Sequence, residues 1–378
     1  MKVTFVTTAS PSAHVDFENG DLSGTESQIY GVAKELNKRG HIVDIIRWSE
    51  REYNITNIDG IKIHDIKSLK FPDGFVGGIG TKMFFSARVR DYLHDIQPDV
   101  VNIIMKYSSY FTCKNPFPTV HFAFNNPVRA TPGTSLYSKM LTGYIEKRIA
   151  HNSDILVVRN NSVKSYWEEK VPTTDLMQIP TGIDINRYQN FGDESYILYG
   201  GRLSKEKGVR YLVEAYAKLP PSTRSSYPLM IVGEGPEEPQ IRSLIKDLGI
   251  EDEVQLRSWL PKSEFHDLLA RCSVYILPSL HEGMPVALLE AMGSSKPIIA
   301  SDIPGVNNVV KDGETGYLFS SEDITQLRFK LQELLEKPGK RRSMGATAET
   351  VVHDQHSFQK VTDKYLRAYR QAIKSNEK

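Results

Sequence analysis

The sequence predicts an α/β protein of two doubly wound, Rossmann-like domains in tandem, and three observations carry that prediction. Short apolar, β-rich runs alternate with helical patterns along nearly the whole chain, the signature of parallel sheets covered by helices. The alternation pauses over a polar stretch at 181–195 and then restarts. A chain of 378 residues is also long for one core but natural for two of roughly 150–200 residues. The boundaries drawn are 1–185 and 186–356, followed by an amphipathic helix at about 357–378.

Residues 3–7 form a buried-strand candidate, followed by a polar, glycine-bearing loop at 11–24. Ile29, Val32, Ala33 and Leu36 recur at helical spacing, so a helix opens at Gly24 and ends at Gly40. A strand follows at 42–46, then a strand pair turning at Asp59-Gly60. From 67 to 92, aromatic residues (Phe71, Phe75, Phe84, Phe85) interleave with lysines and arginines. Such a stretch either meets an anionic lipid surface or packs its aromatics inward. Further strands are expected at 100–105, 119–124, 155–158 and 177–180, and 181–195 reads as the linker.

In the second half, strands are expected at 196–199, 229–232, 254–256, 274–277, 297–300 and 316–319. Helices follow from Val209, up to Leu248, over 263–271, after Pro285 and near Asn308. Val361, Tyr365, Leu366 and Tyr369 give the terminal helix its apolar face.

Composition narrows the class. A net charge of +1 gives no reason to expect nucleic acid or an acidic partner. Cys113 and Cys272 stand far apart with no ligand-spaced neighbour, so they read as reduced thiols rather than a disulfide or zinc site. The N-terminal apolar run is too short for a signal segment, and no stretch reaches the roughly 18–20 apolar residues of a spanning helix. A cytoplasmic protein, resting on a membrane at most, is expected.

The most informative stretch is SVYILPSLHEGMPVALLE, 273–290. A strand stops at Pro278, a loop carries Glu282, Gly283 and Met284, and Pro285 suits the first turn of a helix bearing Glu290. A strand feeding a glycine-bearing loop into a helix N-terminus offers backbone N–H groups and a positive dipole end to an anion. Two carboxylates beside an anion site make chemical sense when the ligand also carries hydroxyls, as a nucleotide sugar does. Gly200-Gly201-Arg202 and Lys207 follow the first strand of the second domain. There the glycines permit close backbone approach, while the guanidinium and ammonium suit phosphate oxygens.

These segments resemble the retaining GT-B-fold glycosyltransferases of the "group 1" family. The likeness is carried by GGRLSKEKG (200–208), IVGEGPE (231–237), LPSLHEGMPVALLEAMGSSKPIIAS (277–301) and GVNNVVKDGETGYLF (305–319). SGTESQIYGVAKELNKRGH (23–41) and IPTGIDINRY (179–188) add to it. The resemblance implies GT-B architecture, two domains facing across a cleft, with the terminal helix crossing back to the first. It implies a hexose-type donor on a nucleoside diphosphate and a sugar, glycan or lipid-linked acceptor. Glu290 would bind ribose hydroxyls, and Glu282 would face the donor sugar beside Gly283, Met284 and Pro285. Arg202, Lys207 and Gly201 would hold the diphosphate, with Gly24 approaching from the first domain. Trp259 and Leu260 would border the base. No cofactor or essential metal is implied, since positive side chains and a helix dipole take the cation's place. The family's strand-terminal histidine falls by spacing at Phe124–Asn125, so either His121 or Asn125 would take that place. The alternatives are a GT-B nucleotide-sugar epimerase, a sugar phosphorylase, or a nucleotide-sugar-binding protein without turnover.

Overall fold

The computed structural model describes residues 1–7, 24–49, 53–67, 75–104, 112, 115–123, 136–283 and 285–377. The chain divides into two compact units, Met1–Gly182 with Phe358–Lys378, and Ile183–Ser357. The break falls at Gly182 because Ile183 is already tied into the second unit: its N–H donates to the carbonyl of His356 at 2.7 Å, and it bridges Ser357.

The first unit runs β1 (Lys2–Thr7), α1 (Gly24–Lys38), β2 (Ile42–Ser49), β3 (Asn54–Ile58), β4 (Ile61–Lys67) and α2 (Phe75–Ile96). It continues with β5 (Val100–Ile104), β6 (Thr119–Phe122), α3 (Leu136–His151), β7 (Ile155–Val158), α4 (Asn161–Lys170) and β8 (Asp175–Gln178). The eight-stranded sheet has the order β3-β4-β2-β1-β5-β6-β7-β8. Only β3 is antiparallel, forming a hairpin with β4. Asp59 (φ 52°) and Gly60 (φ 82°) supply the two left-handed residues such a tight turn needs. Ile29, Val32, Ala33 and Leu36 are all buried, so α1 packs along the stripe its spacing predicts. The aromatics of α2 divide: Phe85 is buried with Val89, Leu93 and Ile96, whereas Phe84 faces outward. Phe71 lies outside the described residues.

The second unit comprises β9 (Ile197–Gly200), α5 (Val209–Ala217), α6 (Pro221–Ser226), β10 (Leu229–Val232), α7 (Glu238–Asp247), β11 (Val254–Arg257) and α8 (Lys262–Arg271). Then come β12 (Val274–Leu277), α9 (Val286–Gly293), β13 (Ile298–Ser301), β14 (Gly316–Phe319), α10 (Ile324–Glu336) and α11 (Pro338–His356). The six strands are parallel in the order β11-β10-β9-β12-β13-β14. That is the doubly wound order, with the chain leaving β9 in one direction and resuming at β12 in the other. The helix expected near Asn308 is instead a run of turns at 304–309. Gly305 at φ +96° sits in the left-handed region, which a right-handed helix cannot pass through.

From Ile183 to Ser195 the polar stretch is fastened to the second unit, while Gly182 is held in the first by the side chain of Gln28. Buried Arg341 donates to Asp193 Oδ2 at 2.8 Å and to the last carbonyls of α10. Lys296, also buried, donates to Asn190 Oδ1 at 2.9 Å. Cys272 is a core thiol pushed up to about 12 by burial, and Cys113 lies outside the described residues.

The last helix, α12 (Phe358–Asn376), returns to the first unit, packing on α1, β5, β6 and β7. Val361, Tyr365, Leu366 and Tyr369 are buried there, and Asn102 donates to the Tyr369 hydroxyl at 2.6 Å. Among the described residues, no helix is long and apolar enough to cross a membrane.

Candidate active site

The second unit gathers most of the predicted residues at one place, the topological switch point between β9 and β12. Open α/β sheets bind ligands just beyond the carboxyl ends of their strands at such a point. The loop after β9 carries Gly201, Arg202 and Lys207, and the loop after β12 carries Ser279, Glu282, Gly283 and Pro285.

Backbone contacts lock the two loops together. The N–H of Leu280 donates to the carbonyl of Glu206 at 2.8 Å. Gly208 turns at φ +62°, and a Cβ there would run into the carbonyl oxygen of Pro278. On the other side, a Cβ on Gly305 would stand 2.5 Å from the carbonyl of Gly283 and 2.8 Å from that of Glu282. The Glu282 loop is therefore clasped between two glycines that side chains would displace. Beneath it, the Tyr275 hydroxyl donates to Gly200 O at 3.0 Å, and the Tyr199 hydroxyl to Arg202 O at 3.1 Å. Burial raises both phenols, helped at Tyr199 by the Glu282 carboxylate and at Tyr275 first by Tyr199 and then by Glu290 and Glu282, so they act as neutral donors.

Lys207 Nζ lies 2.6 Å from Glu282 Oε1, and the same oxygen accepts from Ser279 Oγ at 2.8 Å. The Glu282 side chain is only 9% exposed and that of Lys207 25%, so this pair is partly withdrawn from water. An ammonium has three donors. One is committed to Glu282. Arg202, earlier in the same loop, is exposed.

Glu290 sits in the second turn of α9, behind a first turn that opens at Pro285. Its Oε1 accepts from the Tyr188 hydroxyl at 3.0 Å and stands 3.9 Å from His266 Nε2 on α8. The Tyr188 and His266 rings meet edge-on at 5.0 Å. Burial and then the charge on Glu290 raise the Tyr188 phenol, keeping it protonated as a donor. Tyr188, His266 and Ser279 were not singled out from the sequence. Tyr188 lay inside a quoted motif, but its 102-residue separation from Glu290 leaves no local signal. Trp259 is 54% exposed past the end of β11, and Leu260 is half-buried against the core.

The remaining candidates lie elsewhere. Gly24 is the first residue of α1, and His121 the third of β6, both in the first unit. Met284 and Asn125 lie outside the described residues. His121 is buried, and desolvation lowers it from 6.5 to about 3, leaving a neutral imidazole at physiological pH. The unfolded chain takes up a proton below about pH 6.5 that the folded state refuses. Stability is therefore complete above that pH and falls as pH drops toward 3, by at most about 1.4 kcal/mol per unit. We expect His121→Gln to flatten the acid-side slope, recovering about 1.6 kcal/mol of it between pH 6.5 and 5. Urea midpoints measured across that range check this, and parallel slopes in both proteins would contradict it. Among the described residues no group of three or more His, Cys, Asp or Glu could hold a metal ion.

Residues 182–351 match the family described as "Glycosyl transferases group 1", and residues 22–187 match "Glycosyltransferase Family 4". Alpha-D-kanosaminyltransferase of Streptomyces kanamyceticus is 29% identical over 47% of this chain and 46% of its own length. N-acetyl-alpha-D-glucosaminyl L-malate synthase of Bacillus anthracis is 28% identical over 60% of this chain and 61% of its own. The chain thus spans about half the length of these curated relatives. In structure, sucrose-phosphate synthase from Thermosynechococcus elongatus superposes with a TM-score of 0.82 at 19% identity, over 99% of both chains. Two parallel-sheet, Rossmann-like units with that likeness define a GT-B protein. The two family matches together cover 22–351, both to glycosyltransferase families, and the group 1 match takes in nearly all of the second unit.

Proposed function

We propose that the protein is a retaining glycosyltransferase that moves a hexose-type sugar from a nucleoside-diphosphate sugar to an acceptor hydroxyl. The observation that carries this is the Lys207–Glu282 pair, 2.6 Å apart at the switch point, with Glu290 in the second turn of the adjoining helix. In this reading Lys207, Arg202 and the N-terminus of α9 bind the diphosphate and stabilise its growing charge as it leaves. Glu290 takes the ribose hydroxyls, and Glu282 the donor sugar. The bond from the anomeric carbon to the diphosphate oxygen breaks, and a bond to the acceptor oxygen forms on the same face. The acceptor's proton passes to the departing oxygen, so no further base is required. We assign the charge stabilisation to these side chains and the helix dipole without a metal. The acceptor is a sugar, a glycan or a lipid-linked sugar, and the protein works in the cytoplasm, with peripheral membrane contact where the acceptor is lipid-linked.

Incubation with UDP-, GDP- and ADP-sugars tests this reading. Nucleoside diphosphate released only when an acceptor is present supports transfer, and NMR of the product should show the donor's anomeric configuration kept. Sugar interconverted without release would point to an epimerase. An inverted product would remove the retaining assignment.

A further inference from the structure

The polar neighbours of Glu290 sit on one of its two oxygens. Oε1 accepts from Tyr188 at 3.0 Å, and His266 Nε2 approaches the same atom at 3.9 Å, while neither engages Oε2. Tyr188 arrives from the 3-10 turn Ile185–Arg187, and its ring is fixed independently of the hydroxyl. It meets His266 edge-on, and its Cδ2 lies 3.4 Å from where a Cβ on Gly293 would stand. The same ring packs against the apolar core beneath α9. The hydroxyl adds a single hydrogen bond, aimed at the carboxylate.

We propose that Tyr188 is a positioning residue for ribose recognition: its hydroxyl occupies Oε1 of Glu290 and presents Oε2 alone to a ribose hydroxyl. A carboxylate without that bond can rotate about its terminal torsion, which is broad and roughly two-fold. Held by Tyr188, one oxygen points in a defined direction, and a nucleotide lacking the matching hydroxyl leaves it unpaired. Selectivity for ribose over deoxyribose then depends on a phenol that does not touch the sugar. His266 helps by closing the far side of Oε1. This inference rests on the assignment of Glu290 to ribose.

Calorimetric titration with whichever of UDP, GDP or ADP the unaltered protein binds best, and with its 2′-deoxy and 3′-deoxy forms, tests both. We expect Tyr188→Phe to keep the unfolding midpoint, weaken the ribonucleotide about 5- to 10-fold, the weight of one hydrogen bond, and bind as before the one deoxy form that lacks the hydroxyl paired with Glu290. Discrimination against one deoxy form should collapse, and donor KM should rise with kcat unchanged, the mark of lost uniform binding. If Glu290→Ala leaves ribonucleotide affinity intact, or no nucleotide binds, the ribose assignment itself falls, and this inference with it. If Glu290→Ala weakens binding while Tyr188→Phe binds and discriminates like the unaltered protein, only the role given to Tyr188 is overturned.

Discussion

Replacing Lys207 with alanine should lower kcat by about 10²–10³-fold, the usual cost of removing one preorganised donor from developing negative charge. The same substitution strips Glu282 of its 2.6 Å cation, leaving Ser279 as that oxygen's donor. A carboxylate at 9% exposure then loses about 1–2 kcal/mol of stability, less than the effect on the barrier. The two consequences separate in the double variant Lys207→Ala with Glu282→Gln. Neutralising the stranded carboxylate should return the unfolding midpoint toward that of the unaltered protein, while turnover stays low. If the double variant recovers turnover together with stability, Lys207 serves the fold and not the leaving group.

Gly305→Ala should be nearly as damaging to activity, though residue 305 belongs to a different loop from the charged side chains. At φ +96° an L side chain is strained, and its Cβ would press on the backbone oxygens of Glu282 and Gly283. The strain itself costs about 1–3 kcal/mol. The pressed loop must shift, and a misplacement near 1 Å at a positioned group costs about 10²-fold in rate. Turnover should therefore fall much further than the loss of stability accounts for, measured by kcat/KM beside a denaturant midpoint. An alanine variant with unchanged kcat/KM would show that the Glu282 loop tolerates displacement.

What was legible in the sequence follows from how local each feature is. β10, β12 and β14 coincide with their expected spans because buried parallel strands are unbroken apolar runs ended by Pro, Gly or polar residues. The hairpin at Asp59-Gly60 is announced by its turn chemistry. The pattern was weaker for α3 and α4, which follow strands but lack a clean apolar stripe, and α10 and α11 pack as a pair after the last strand. The turns at 304–309 carry no local mark against a helix: the left-handed backbone of Gly305, where a Cβ would press on the Glu282 loop, is not visible in the sequence pattern. In the site, Glu282, Glu290, Arg202 and Lys207 were found from short motifs. The groups that orient the two carboxylates were less visible: Tyr188 comes from the segment read as linker, and Ser279 looked like one more loop serine.

The position of α12 bears on how the molecule is made. Residues 358–376 complete the apolar core of the first unit, with Val361, Tyr365, Leu366, Ala368, Tyr369 and Ala372 packed among the side chains of β1, α1 and β6. During synthesis the first 182 residues emerge long before this helix does, with the whole second unit translated in between. The nascent first unit must wait with part of its sheet face uncovered, while the second can close as soon as its own last helix has left the ribosome. The unit whose strands appear first is thus the last to be finished, and its apolar face stays open to non-native contacts until residues 358–376 arrive.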